Sequence, residues 1–85
     1  MLKVTIYTTE SCPYCTRAKV FLKSKGIAFE EVNLTHDSEK RNAVQQKTGW
    51  MTVPMIFIGD EFIGGFDDLS TLDASGKLVK KINAA

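Results

Sequence analysis

The sequence predicts an α/β fold, a βαβ unit followed by a ββα unit that together form a four-stranded mixed sheet with helices on both faces. Three observations carry this prediction. Leu2, Val4 and Ile6 alternate with Lys3, Thr5 and Tyr7 at the period-two spacing of a strand with unlike faces. Tyr14, Ala18, Phe21, Leu22 and Lys25 then recur at helical spacing. Farther on, Met55-Ile56-Phe57-Ile58 is apolar throughout, as a short strand buried on both faces must be.

In chain order, a first strand is expected over residues 2–8. A first helix follows from about Pro13 to Lys25, where Gly26 stands at the position that favours a left-handed residue. Residues 28–33 form a second strand in which Glu30-Glu31 interrupts the alternation. Asp37 or Ser38 can cap a helix through Thr48, and its thin apolar stripe at Ala43 and Val44 places it on an outer face. Gly49 ends that helix, and Pro54–Ile58 is the third strand. Gly59-Asp60 turns the chain into a fourth strand, Glu61–Gly64. A short helix opened by Asp67-Asp68 carries Leu69 and Leu72, and the Lys-rich end adds a last turn or two. At 85 residues the chain suits one compact domain, 1–85, with a single core rather than two.

Charge excludes several functions. Eleven Lys/Arg face ten Asp/Glu, for a net charge of +1, and no basic block is present to attract nucleic acid or an anionic membrane. No apolar run reaches the roughly 18 residues a membrane span needs, and the first residues lack the layout of a signal peptide. The expectation is a soluble, monomeric protein of the cytoplasm. In that reducing compartment a permanent structural disulfide is out of place.

Both cysteines fall in Cys12-Pro13-Tyr14-Cys15. As a staple the pair closes a loop so small that it would contribute only about 2 kcal/mol. As a metal site it offers two thiolates and at best His36, whereas structural zinc takes four ligands, so no metal is expected. His36 reads as a solvated loop residue before the second helix. A reactive pair fits the position better. Pro13 suits the first helical position, which puts Cys12 at the N-cap, where unpaired N–H groups and the helix dipole favour a thiolate. Cys15 then lies one turn on, on the same side, able to resolve a mixed disulfide formed at Cys12. Cys12 is the candidate nucleophile and Cys15 the buried resolving thiol.

The Cys-Pro-Tyr-Cys segment, Thr52-Val53-Pro54 before a strand, and Gly64-Gly65-Phe66-Asp67-Asp68 after a hairpin together resemble the glutaredoxin family, in particular its short bacterial dithiol members. The resemblance runs over essentially the whole chain. It implies a thioredoxin-like fold and glutathione-dependent exchange with protein disulfides and glutathione mixed disulfides, glutathione being a co-substrate and no cofactor being tightly bound. It further implies a cis Val53-Pro54 bond facing the cysteines, with Val53 pairing with substrate as an added strand does. Asp67 and Asp68 would hold glutathione's γ-glutamyl end, or cap the helix, one residue being able to do both; Tyr14 would flank the groove, and Thr52, Val53, Pro54, Gly65 and Phe66 are the further glutathione contacts the resemblance implies. Some family members instead bridge a [2Fe–2S] cluster, but those with proline after the first cysteine, as here, seldom do.

The sequence also departs from its relatives. Many glutaredoxins carry lysine three residues before the first cysteine, where this chain has Thr9 followed by Glu10. Similar members often have arginine where Trp50 stands, followed here by Met51, and glutamine where Met55 stands. Two cationic anchors for a carboxylate are thus uncharged. Lys47, one turn before Trp50, is a candidate replacement; Trp50 and Met51 form either an apolar patch for a protein partner or a contact buried against the second helix. The same departures suit a redoxin fed by thioredoxin reductase that uses little glutathione.

Overall fold

The computed structural model describes residues 1–84. Its elements run β1 (Val4–Thr8), α1 (Pro13–Ser24), β2 (Phe29–Asn33), α2 (Ser38–Thr48), β3 (Met55–Ile58), β4 (Glu61–Gly64), α3 (Phe66–Ala74) and α4 (Lys77–Ile82). The strands form one sheet in the order β2-β1-β3-β4, β1 being parallel to β2 and antiparallel to β3, and β3 antiparallel to β4. This is the mixed sheet expected, with several boundaries shifted for physical reasons.

β1 starts at Val4 rather than residue 2 because the Leu2 N–H donates to the Ile82 carbonyl of α4, 2.6 Å away, instead of joining a strand ladder. β2 begins at Phe29 rather than residue 28, where its pairing with Val4 starts. β3 excludes Pro54, which follows a cis peptide bond and lacks an N–H to donate. α1 stops at Ser24 and Lys25 is its C-cap; Gly26, at φ 69°, reverses the chain so that the Ile27 N–H reaches the Leu22 carbonyl at 3.0 Å. Asp37, not Ser38, caps α2, accepting from the Lys40 N–H at 3.0 Å. α3 begins at Phe66, one residue before the expected start, with Gly65 at its N-cap.

Strand alternation divides the packing between the two sheet faces. Val4, Ile6, Ile56 and Ile58 pack with Ala18 and Leu22 of α1, Leu69 of α3 and Leu78 and Ile82 of α4. On the opposite face Met55 and Phe57 pack with Leu34 and with Val44, the buried residue of α2, against partly buried Tyr7, Val32, Trp50 and Phe62. Ala43, expected to share the stripe of α2, is exposed. All four residues of β3 are buried, because both faces of this inner strand are covered. Each fully buried Ile or Leu contributes about 1.5–3 kcal/mol, so the sheet centre is the main source of rigidity under the site.

The broken alternation in β2 also has a cause. Glu31 lies opposite Ile6 on the α1 face, but at the sheet edge. The Thr8 hydroxyl donates to its carboxylate at 2.7 Å and Lys19 of α1 approaches at 3.0 Å. The Thr8 hydrogen bond first, then the Lys19 contact, hold the Glu31 carboxyl below its ordinary value of 4.5, partial burial opposing them. Because the folded value lies below the unfolded one, Glu31 stabilises the fold above about pH 4.5 and loses that contribution as pH falls through the folded value. The contribution is about 1 kcal/mol or less, since the pair is solvent-screened. Denaturant midpoints between pH 6 and pH 3 should therefore fall less steeply for Glu31→Gln than for the native protein, with pH values spanning about the unfolded carboxylate range.

Candidate active site

The site forms where β1 ends and α1 begins. After Thr8, two hydrogen bonds tie the β1–α1 loop to the loop following β2: the Leu34 N–H donates to the Thr8 carbonyl and the Glu10 N–H to the Thr35 hydroxyl, each at 2.8 Å. This anchored loop delivers Cys12 in an extended conformation at the α1 N-cap, with Pro13 at the first helical position. Cys12 and Cys15 are joined as a disulfide, with Cα atoms 5.2 Å apart. Cys12 is partly exposed and Cys15 is buried, which gives the two sulfurs the unequal access required of a nucleophile and a resolving thiol.

Two backbone groups converge on the Cys12 sulfur. The Cys15 N–H donates to it at 3.0 Å, and the Val53 carbonyl oxygen lies 3.7 Å away. The Val53-Pro54 peptide is cis, as the family resemblance implied. The N–H can stabilise negative charge on the sulfur. The carbonyl can accept from the thiol once the disulfide is reduced.

From this point a groove of about 610 Å³ extends to the start of α3, lined by Tyr14, Trp50, Thr52, Val53, Pro54, Gly65, Phe66, Asp67 and Asp68. Every residue named from the sequence as a candidate substrate contact therefore lies on one surface. The Tyr14 and Phe66 rings stand side by side, their centroids 6.4 Å apart. Asp67 and Asp68 divide two tasks: the Asp68 carboxylate reaches back to accept from the Gly65 N–H at 3.0 Å, capping α3, whereas the exposed Asp67 makes no hydrogen bond or ion pair among the described residues.

Trp50 is the groove residue that the sequence reading did not place among the contacts. It is half-buried, stacked edge-on to Phe62 with centroids 5.6 Å apart, and its ring approaches Gly65. The available signal was the sequence's departure from the arginine of similar family members at this position, which the structure places on the groove wall. Met51 beside it is exposed, so the two do not form one buried contact against α2. Lys47 does not replace the missing cation; its ammonium lies over the Phe57 ring, 5.5 Å from the centroid, outside the groove lining. His36 is exposed, 3.7 Å from the Glu10 carboxylate. Among the described residues no cluster of three or more His, Cys, Asp or Glu side chains is arranged to hold a metal ion, and no helix is long and apolar enough to cross a membrane.

A dithiol at a helix start, faced by a cis-proline loop on a four-stranded mixed sheet, defines a thiol–disulfide oxidoreductase of thioredoxin-like fold. The family model for glutaredoxin matches residues 4–63. The chain is 50% identical over 78 residues to glutaredoxin 3 of Escherichia coli K12, covering 92% of this chain and 94% of that protein. It is 45% identical over 84 residues to a glutaredoxin of Pseudomonas aeruginosa, covering 99% and 100%. The crystal structure of a buckwheat glutaredoxin–glutathione complex superimposes with a TM-score of 0.89 at 30% identity, over 98% of this chain and 78% of that one. The protein belongs to the glutaredoxin family.

Proposed function

We propose that the protein is a glutathione-dependent reductase of protein disulfides and glutathione mixed disulfides, acting as a cytoplasmic monomer with one domain over residues 1–85. The observation that carries this reading is the groove between Val53, whose carbonyl lies 3.7 Å from the Cys12 sulfur, and the α3 N-terminus. Its volume falls within the roughly 300–1,000 Å³ of small-ligand sites.

The chemistry follows from the two sulfurs. The Cys12 thiolate attacks one sulfur of a substrate disulfide; a Cys12–substrate bond forms and the other sulfur leaves as a thiolate. For a protein disulfide, Cys15 then attacks Cys12 and expels the second substrate thiol, leaving the Cys12–Cys15 disulfide. Two glutathione molecules reduce it and depart as glutathione disulfide. For a glutathionylated protein, glutathione stays on Cys12 and a second glutathione removes it, so Cys15 is not required. Glutathione is placed by charge: its α-ammonium against Asp67, its α-carboxylate on the first-turn N–H groups of α3, and its backbone along Val53. Tyr14, Phe66, Thr52, Pro54 and Gly65 shape the walls, and Asp68 holds the helix start.

Glutaredoxin potentials of about −200 to −230 mV, against about −270 mV for thioredoxin, make reduction by glutathione easier by near 2.3 kcal/mol for a 50 mV difference. NADPH-coupled reduction of a small mixed disulfide tests the electron source. Turnover is expected with glutathione and glutathione reductase. Turnover with thioredoxin reductase alone, and none with glutathione, would replace this reading by that of a reductase-fed redoxin.

A further inference from the structure

The charges around the groove point to a specific choice of substrate, on the premise that glutathione is the thiol bound. The lining carries two carboxylates, Asp67 and Asp68, and among the described residues no Lys or Arg. Two basic side chains on the flanking helices rest on aromatic rings instead: the Arg17 guanidinium lies 5.3 Å from the Tyr14 centroid and the Lys47 ammonium 5.5 Å from that of Phe57. Glu10 adds a further negative charge to the loop leading to Cys12.

Glutathione carries one ammonium and two carboxylates. Asp67 can answer the ammonium and the α3 N-terminus the α-carboxylate, which leaves the glycyl carboxylate. In place of a cation the lining offers it Trp50, whose indole is held by Phe62 and packed against Gly65, and whose Nε1–H, without a partner among the described residues, is buried away from the groove surface and so does not meet a carboxylate there. A carboxylate brought here gains no ion pair, and the neighbouring acidic groups disfavour it.

We propose that this groove does not read the glycyl carboxylate, and that it accepts γ-glutamyl-cysteinyl thiols whether their C-terminal end is free, esterified, amidated or continued as polypeptide. The lack of a cation at position 50, where Trp50 stands, sets this specificity. A protein substrate whose chain runs on past its cysteine then enters without forfeiting a charge contact that free glutathione would have made.

The test uses two mixed disulfides of one fluorescent peptide, one with glutathione and one with its glycyl ethyl ester. Each is mixed with an excess of the fully reduced protein, and release of the peptide thiol is followed in a single turnover. The exchange needs no reductase: a bond forms between Cys12 and the glutathione or ester sulfur as the peptide thiolate leaves. The native protein should react with both at rates within about twofold, since no charge-assisted hydrogen bond distinguishes them. In W50R the glutathione disulfide should gain about tenfold over the ester, the scale of one such bond. W50M, which removes the indole without adding charge, should leave the two rates matched.

A native preference for free glutathione of about fivefold or more would overturn the proposal, because it would show a cation such as Arg17 leaving its ring to meet the carboxylate. An unchanged ratio in a folded W50R protein would overturn the role of Trp50. If neither disulfide reacts while insulin disulfides are still reduced, the glutathione reading itself fails and this inference with it, so the two failures are distinguishable.

Discussion

Cys12→Ser should lower exchange with every disulfide substrate by about three orders of magnitude or more, the scale on which removal of a nucleophile acts. Cys15→Ser should keep the reduction of glutathione mixed disulfides while losing most of its turnover on protein disulfides. The asymmetry follows from position. Cys12 is partly exposed beside the groove, 3.7 Å from the Val53 carbonyl, with the residue 15 N–H 3.0 Å from its sulfur, so negative charge on that sulfur is supported by a backbone donor that Cys15→Ser leaves in place. The Cys15 sulfur is buried beneath it and can be reached only from Cys12. Turnover of each single variant on an S-glutathionylated peptide and on insulin, measured in parallel, separates the two roles. Equal loss on both substrates in Cys15→Ser would contradict the assignment of Cys15 as resolving thiol, and a loss of less than about tenfold in Cys12→Ser would contradict that of Cys12 as nucleophile.

Gly64→Ala should destabilise the fold by about 3 kcal/mol and weaken thiol binding in the groove at the same time. Gly64 sits at φ 123°, a conformation side chains rarely adopt, and a Cβ there would collide with the Asp68 side chain. Asp68 is the residue whose carboxylate accepts from the Gly65 N–H and closes the first turn of α3. The alanine methyl would therefore both strain the backbone and push that carboxylate off its partner. Removing the cap alone, as in Asp68→Ala, should cost about 1 kcal/mol. Guanidinium unfolding of the two single variants and the double variant checks the account: in the double variant the collision with the carboxylate is gone and only the residue 68 Cβ, 3.0 Å away, remains, so its loss should be smaller than the sum of the singles. A Gly64→Ala protein no less stable than Asp68→Ala would show that the backbone conformation is not what requires glycine.

Much of this could be read in the sequence because it is encoded over short spans. The alternation around Val4 and Ile6, the helical spacing from Tyr14 to Leu22 and the apolar run of β3 each specify an element through its own neighbours. Pro13 and Gly26 bracket α1 by backbone rules that act within a few residues. Boundaries were less legible where a distant partner decided them. The Leu2 N–H bonds to α4 rather than to a strand, and Glu31 looked like a fault in β2 until Thr8 and Lys19 supplied its partners across the sheet.

The sequence by itself determined the dithiol, its place at a helix start and the order of elements around it, since spacing, proline and glycine act through local backbone geometry. Only the tertiary structure decided what the dithiol faces. Bringing Tyr14, Trp50, residues 52–54 and residues 65–68 onto one groove requires the sheet order β2-β1-β3-β4, which sets the β3 approach and the α3 start side by side. It also decided that Asp68 caps while Asp67 stays exposed, that Lys47 goes to Phe57, and that Trp50 lines the groove wall. Such choices depend on side chains far apart in the chain competing for the same space and the same charges, and no local pattern records which of them wins.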